Sequence, residues 1–262
     1  METLKMWDKT PGMCETEPVL EYYKAADRKS DGVVVIYPGG GYSARAPHEG
    51  QGYALYFNSI GIDAFVLQYR VDPHRFPIEL LDARRAVRYV RYNAEKFGIN
   101  PEKVAVMGSS AGGHLAALVS TYRKGIDFEN TDETDKQDYL PNLQILAYPV
   151  IQMSSLAICH VGSIRNLLGD DNIHLAPEVD PINIADKKTP EAFIWHTSDD
   201  AAVNVCNSLR YGEKLRELNI KFELHVFPEG HHGLGLAPDN KHVSQWPGLM
   251  KNWLEFKGFY SK

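Results

Sequence analysis

Apolar residues along the chain follow two alternating rhythms. Short runs that are apolar at nearly every position read as strands, and where no polar face interrupts them the strands are covered on both sides. These runs are GVVVIY at 32–37, DAFVLQYR at 63–70, KVAVMG at 103–108, LQILAYPV at 143–150, EAFIWHT at 191–197 and KFELHVFP at 221–228. Between them lie stretches with helical spacing at 50–61, 78–97, 111–122, 203–218 and 243–256, and a short helix is expected around 164–168. In 78–97 the apolar residues Leu81, Ala83, Ala86, Val87, Val90, Ala94 and Phe97 recur every three or four positions, and Gly98 stands where a helix C-terminal residue belongs. On its other side Arg84, Arg85, Arg88 and Arg91 read as a solvated face. In the closing helix Trp246, Leu249, Trp253 and Leu254 should face inward.

Strand–helix alternation of this kind predicts an α/β fold with right-handed crossovers and a mostly parallel central sheet with helices on both faces. Neither a repeat nor a break in composition divides the chain, so one domain over 1–262 is expected. Two stretches escape the alternation. The polar, acidic residues 123–142 read as an exposed loop, and 151–190 form an insert long enough to cap the sheet edge.

Composition adds mostly exclusions. The chain has 262 residues, 44% hydrophobic and 24% charged, with a formal net charge of −6, which offers no basic footprint for nucleic acid or an anionic membrane. The first eighteen residues have no basic start followed by an apolar run, and no apolar window approaches ~20 residues, so neither a leader nor a membrane span is expected. Cys14, Cys159 and Cys206 are widely spaced and odd in number, the pattern of reduced thiols in a cytoplasmic protein rather than of a disulfide framework or zinc site. Oligomeric state is left open, a homo-oligomer included.

The chemistry starts at GSSAGG, residues 108–113. A G-x-S-x-G between a strand and a helix is a tight turn whose neighbouring backbones exclude side chains at Gly108 and Gly112 and project Ser110 as a nucleophile. A serine needs a base and an orienting acid. The strand EAFIWHT runs into Asp199 and Asp200, and the strand KFELHVFP runs into His231 and His232. All lie at the carboxyl ends of strands, where open α/β sheets place their sites. Spacing alone does not choose within either pair.

After the first buried strand comes PGGGY, residues 38–42. It fits neither G-x-G-x-x-G nor a phosphate loop, and no lysine follows it. The amides of Gly40 and Gly41, with that of Ala111 after the serine, instead suit an oxyanion hole. Other candidates have plainer readings. His114 reads as packed or hydrogen-bonded, and Tyr42, Arg70, Trp195 and His160, which could line a pocket, read first as core or surface packing. His48 and Glu49 are adjacent and belong to no H-E-x-x-H, so no metal or other cofactor is expected.

Together YPGGGY, GSSAGGHLAA, WHTSDDAAV, FPEGHHGLGL and HVGSIRNLLG resemble the α/β-hydrolase superfamily, in particular its small carbohydrate esterases related to hormone-sensitive lipase, of the acetyl xylan esterase type. The resemblance runs over about 33–254 and implies the α/β-hydrolase fold with a small cap insert. It carries the nucleophile onto Ser110, the acid onto Asp200 and the base onto His232. Asn204 and the Glu191 region depart from the usual prolines without touching these three. A serine esterase releasing acetyl groups from a small-molecule ester such as an acetylated sugar or xylo-oligosaccharide is therefore expected. The same parts would serve an arylformamidase or small peptidase, and a ligand-binding protein on the same fold is the non-catalytic alternative.

Overall fold

The computed structural model describes residues 1–12, 16–129 and 132–259. Its strands are β1 (Glu2–Lys5), β2 (Val19–Tyr23), β3 (Val33–Tyr37), β4 (Asp63–Gln68), β5 (Val104–Ser109), β6 (Leu143–Ala147), β7 (Glu191–Thr197) and β8 (Phe222–Phe227). They form one sheet in the order β1-β2-β4-β3-β5-β6-β7-β8. β1 and β2 pair antiparallel with each other, β2 pairs antiparallel with β4, and every other pairing is parallel. This is the eight-stranded α/β-hydrolase fold. The two antiparallel edge strands were not apparent from the sequence, because each is short and carries charged residues among its apolar ones.

The helices are α1 (Pro47–Ser59), α2 (Ile78–Tyr92), α3 (Ala94–Phe97), α4 (Ser110–Thr121), α5 (Val161–Leu168), α6 (Pro181–Ile184), α7 (Cys206–Glu217) and α8 (Trp246–Phe256). Alternation along the strands splits the core into two. Val33, Val35 and Tyr37 of β3 pack with Val106, Ala86, Val87 and Leu115 on the side of α2 and α4. Val34 and Ile36 pack on the opposite face with Phe57, Met107, Trp195, Trp246 and Leu254, on the side of α1 and α8. Both faces are therefore covered, which is why the strands carry no polar stripe. In register, Tyr37 pairs with Gly108, Ser109 with Ala147 and Ala147 with Trp195, so the loops after these strands emerge at one edge.

Three expectations change. The helix expected over 78–97 breaks at Asn93, and its second piece, α3, closes on Gly98 in the left-handed conformation with φ 63°. The four arginines of α2 are not solvated: Arg84, Arg85, Arg88 and Arg91 are all buried. What covers them is the acidic stretch, whose described residues, 123–129 and 132–142, form a docked strap rather than an exposed loop. Arg84 and Arg88 pair with Glu129, and Arg85 with Asp132 and Asp135. Arg88 and Arg91 also donate to the carbonyls of Gln137 and Asp138.

The insert 151–190 contains α5, a 3-10 stretch at Asp170–Val179, and α6. Two buried side chains hold it down. Asp180 accepts from the amides of Met153, Ser154 and Ile182, and Asn207 of α7 accepts from those of Ile151 and Gln152. Of the cysteines, Cys159 and Cys206 are free thiols, and Cys14 lies outside the described residues. Among the described residues no helix is long and apolar enough to cross a membrane.

Candidate active site

Ser110 sits where β5 gives way to α4, with a φ of 53°. A serine held in the left-handed region is strained, and the strain persists because the turn is locked from both sides. A β-carbon on Gly108 would run into the Gly112 carbonyl, and one on Gly112 into that of Tyr37. Glycine at both positions is what lets the strand, the turn and β3 close together.

The loops after β7 and β8 bring their side chains to this turn. Ser110 Oγ lies 2.8 Å from His232 Nε2, and His232 Nδ1 lies 2.7 Å from Asp200 Oδ2. Asp200 also accepts from the amides of Ala202 and Val203 at Oδ1, and His196 Nε2 stands 3.3 Å from Oδ2. Burial pushes the Asp200 carboxyl upward, but hydrogen bonds from His196 and His232 outweigh it and hold the group well below the usual carboxylate range. An ionised Asp200 can only accept, so His232 carries its proton on Nδ1 and turns the lone pair of Nε2 to the serine hydroxyl.

The neighbouring candidates do other things. Asp199 accepts from the Gly230 amide and braces the histidine loop. His231 is exposed and donates to the carbonyl of His232. His114 is fully buried: its Nε2 donates to the Val179 carbonyl and its Nδ1 accepts from the Tyr42 hydroxyl. Tyr42, Arg70 and Trp195 are buried as well, and Arg70 forms a forked ion pair with Asp82. His48 donates to the Gly233 carbonyl.

The glycine loop faces Ser110, since a β-carbon on Gly39 would meet that of Ser110 at 3.1 Å. Gly40 and Gly41 have φ of 132° and 64°, which side chains rarely adopt. The Gly39 amide is turned inward to Glu49 Oε2 at 2.8 Å. Among the described residues no hydrogen bond engages the amides of Gly40 or Gly41, and Ala111 lies in the first turn of α4, where amides have no partner within the helix. The loop is fixed from outside by Asn166 of α5, which donates to the Gly41 carbonyl, and by Tyr69, which donates to that of Pro38.

Beneath the site runs a polar chain that sequence reasoning missed. Glu49, only 3% exposed, takes the Gly39 amide on one oxygen and the Tyr148 hydroxyl on the other at 2.6 Å. Tyr148 in turn accepts from the Gly235 amide, and its ring meets that of His232 edge-on at 5.1 Å. Tyr53 joins Tyr148 to Ser109. One carboxylate thus connects the glycine loop, the serine turn and the histidine loop. His196 was also missed; its place two residues before a Ser-Asp-Asp run, on a fully buried strand, was the available signal.

Comparison with known proteins bears on the family and the fold. The chain is 37% identical over 236 residues to an endo-1,4-beta-xylanase B of Butyrivibrio fibrisolvens, covering 87% of this chain and 36% of that protein. It is 32% identical over 235 residues to an acetylxylan esterase of Xylanibacter ruminicola, covering 87% of this chain and 46% of that protein. The chain therefore spans less than half the length of these two relatives. A crystal structure of an acetyl ester-xyloside bifunctional hydrolase from Caldicellulosiruptor lactoaceticus superposes with a TM-score of 0.93 at 41% identity, over 99% of this chain and 97% of that one. The BD-FAE family profile matches residues 20–215, a span that takes in the glycine loop, Ser110 and Asp200 and stops short of His232. By that match, and by its fold, the chain belongs to the BD-FAE family of α/β hydrolases.

Proposed function

We propose that this chain is a serine esterase that removes short acyl groups, acetyl first, from a saccharide or xylo-oligosaccharide. The observation that carries the reading is the hydrogen-bonded row from Ser110 through His232 to Asp200, set beside the glycine loop. His232 takes the serine proton as Oγ attacks the ester carbonyl, and Asp200 stabilises the imidazolium. The amides of Gly40, Gly41 and Ala111 receive the negative charge that develops on the carbonyl oxygen, each such donor being worth roughly 10²–10³ in rate. His232 then returns its proton to the leaving alcohol. Water, deprotonated by the same imidazole, releases the acid from Ser110. The saccharide half of the proposal draws on the relatives named acetylxylan esterase and acetyl ester-xyloside hydrolase, and the same geometry would act on any short ester that fits.

The test is kinetic. Ser110→Ala should lower kcat on an acetate ester by a factor of order 10⁴–10⁶, leaving only binding and oxyanion stabilisation. Retention of full activity would remove Ser110 from the chemistry. A panel of acetylated sugars against formyl, feruloyl and longer acyl esters would define the acyl group, and preference for a formyl amide would point to the arylformamidase alternative.

A further inference from the structure

We propose that His160, at the start of α5, is a substrate contact that donates a hydrogen bond to an oxygen of the alcohol half of the ester and so selects for a hydroxylated, sugar-like leaving group. The inference rests on the ester-hydrolase reading above and deepens it.

The first observation is a fixed tautomer. His160 is the N-cap of α5, and its Nδ1 accepts from the Ser163 amide at 3.2 Å, with Ser163 Oγ at 2.8 Å. An amide can only donate, so Nδ1 presents its lone pair and the neutral ring carries its proton on Nε2. The cap that satisfies the helix therefore also fixes a donor on the far side of the ring. Burial, followed by the nearby charge of His232, holds this ring below the usual histidine range, so it remains neutral and keeps that tautomer near pH 7.

The second observation is position. Two residues before His160, the Ile158 carbonyl accepts from Asn207 of α7, the helix that follows the Asp200 loop, and the charges of His232 and Asp200 both act on the ring. Six residues further along α5, Asn166 holds the Gly41 carbonyl, a separation of ~9 Å at helical rise. The helix therefore has Asn166 at the glycine loop and His160 at its other end, toward the Asp200 loop. In the reaction above, the acyl oxygen belongs to the glycine loop, and the leaving oxygen belongs to His232, from which it takes its proton. A donor on the His232 side meets the alcohol rather than the acyl group. The third observation is rigidity: Asn207 anchors Ile151, Gln152 and Ile158, and Asp180 anchors Met153 and Ser154, so the insert carrying His160 is tied to α7 and to itself.

The test compares two esters. His160→Asn keeps an oxygen able to cap Ser163 but removes the Nε2 donor. On an acetylated xylo-oligosaccharide it should lower kcat/KM by about 3–10-fold, the range for one neutral hydrogen bond, while p-nitrophenyl acetate, whose leaving group has no hydroxyl, stays within about twofold. His160→Ala, which loses the cap too, should lower Tm as well and shows how much of any effect is structural. Equal losses on both esters, or none on either, with wild type active on both, would overturn the contact alone. A wild type that cleaves the aryl acetate but no acetylated saccharide would overturn both the contact and the substrate class.

Discussion

Glu49 is placed between two donors, the Gly39 amide and the Tyr148 hydroxyl, and is buried with them. Glutamine there would turn an NH₂ toward one of them and leave a buried donor unmet, at a cost of ~1–3 kcal/mol. Because those two groups lie under the glycine loop and against His232, the cost should fall on chemistry. Glu49→Gln is expected to lower kcat on an acetate ester by about 10–100-fold with KM little changed, and steady-state kinetics would show it; a change in KM alone would count against the role. The sequence hid this residue. Beside His48, it invites a metal reading, and nothing in a row of letters says that a carboxylate in the first turn of α1 reaches Tyr148 across 99 positions. Ser110 was easier to read, because its glycines are needed for a local turn. The choice of Asp200 over Asp199, and of His232 over His231, depended on loop conformation, which periodicity does not encode.

The helix α2 and the strap at 123–142 show a different gap. Helical spacing correctly marked the apolar side of α2, since Ala83, Ala86, Val87 and Val90 are all buried. It also assigned the arginines to water, because a single-element pattern contains no partner. The partners Glu129, Asp132 and Asp135 come from a stretch whose acidity had itself been taken as a sign of exposure. Each charge run was read alone, and together they neutralise one another. Arg85 and Asp135 are both 3% exposed at the side chain, so removing one leaves the other charged and dry. Arg85→Met should therefore destabilise the fold by ~3–5 kcal/mol, measurable by urea unfolding. The kcat of the folded fraction should be nearly unchanged, because none of these groups touches Ser110 or its partners.

Across the molecule, the mostly parallel sheet and the covering of both its faces followed from alternation of apolar runs, and what the alternation omitted was the order of strands, the antiparallel edge and the anchoring of the insert. His114 is where several parts meet: from α4 it joins Tyr42 of the glycine loop to Val179 of the insert. Burial lowers its pKa from 6.5 to about 4. With the folded value below the unfolded one, the unfolded chain binds the extra proton first. The contribution is complete above pH 6.5 and is lost as pH falls toward 4, up to ~3 kcal/mol. Urea midpoints should drop over that window, and the part of the drop due to this ring should be absent in His114→Asn.

The short helix α5 holds the glycine loop through Asn166 and carries His160 at its cap, while belonging to none of the segments that carry Ser110, Asp200 and His232. On the proposed contact, the choice of alcohol and the cleavage of the bond fall to different segments. A change at His160 would then alter which alcohol is admitted while the row from Ser110 to Asp200 stays in place.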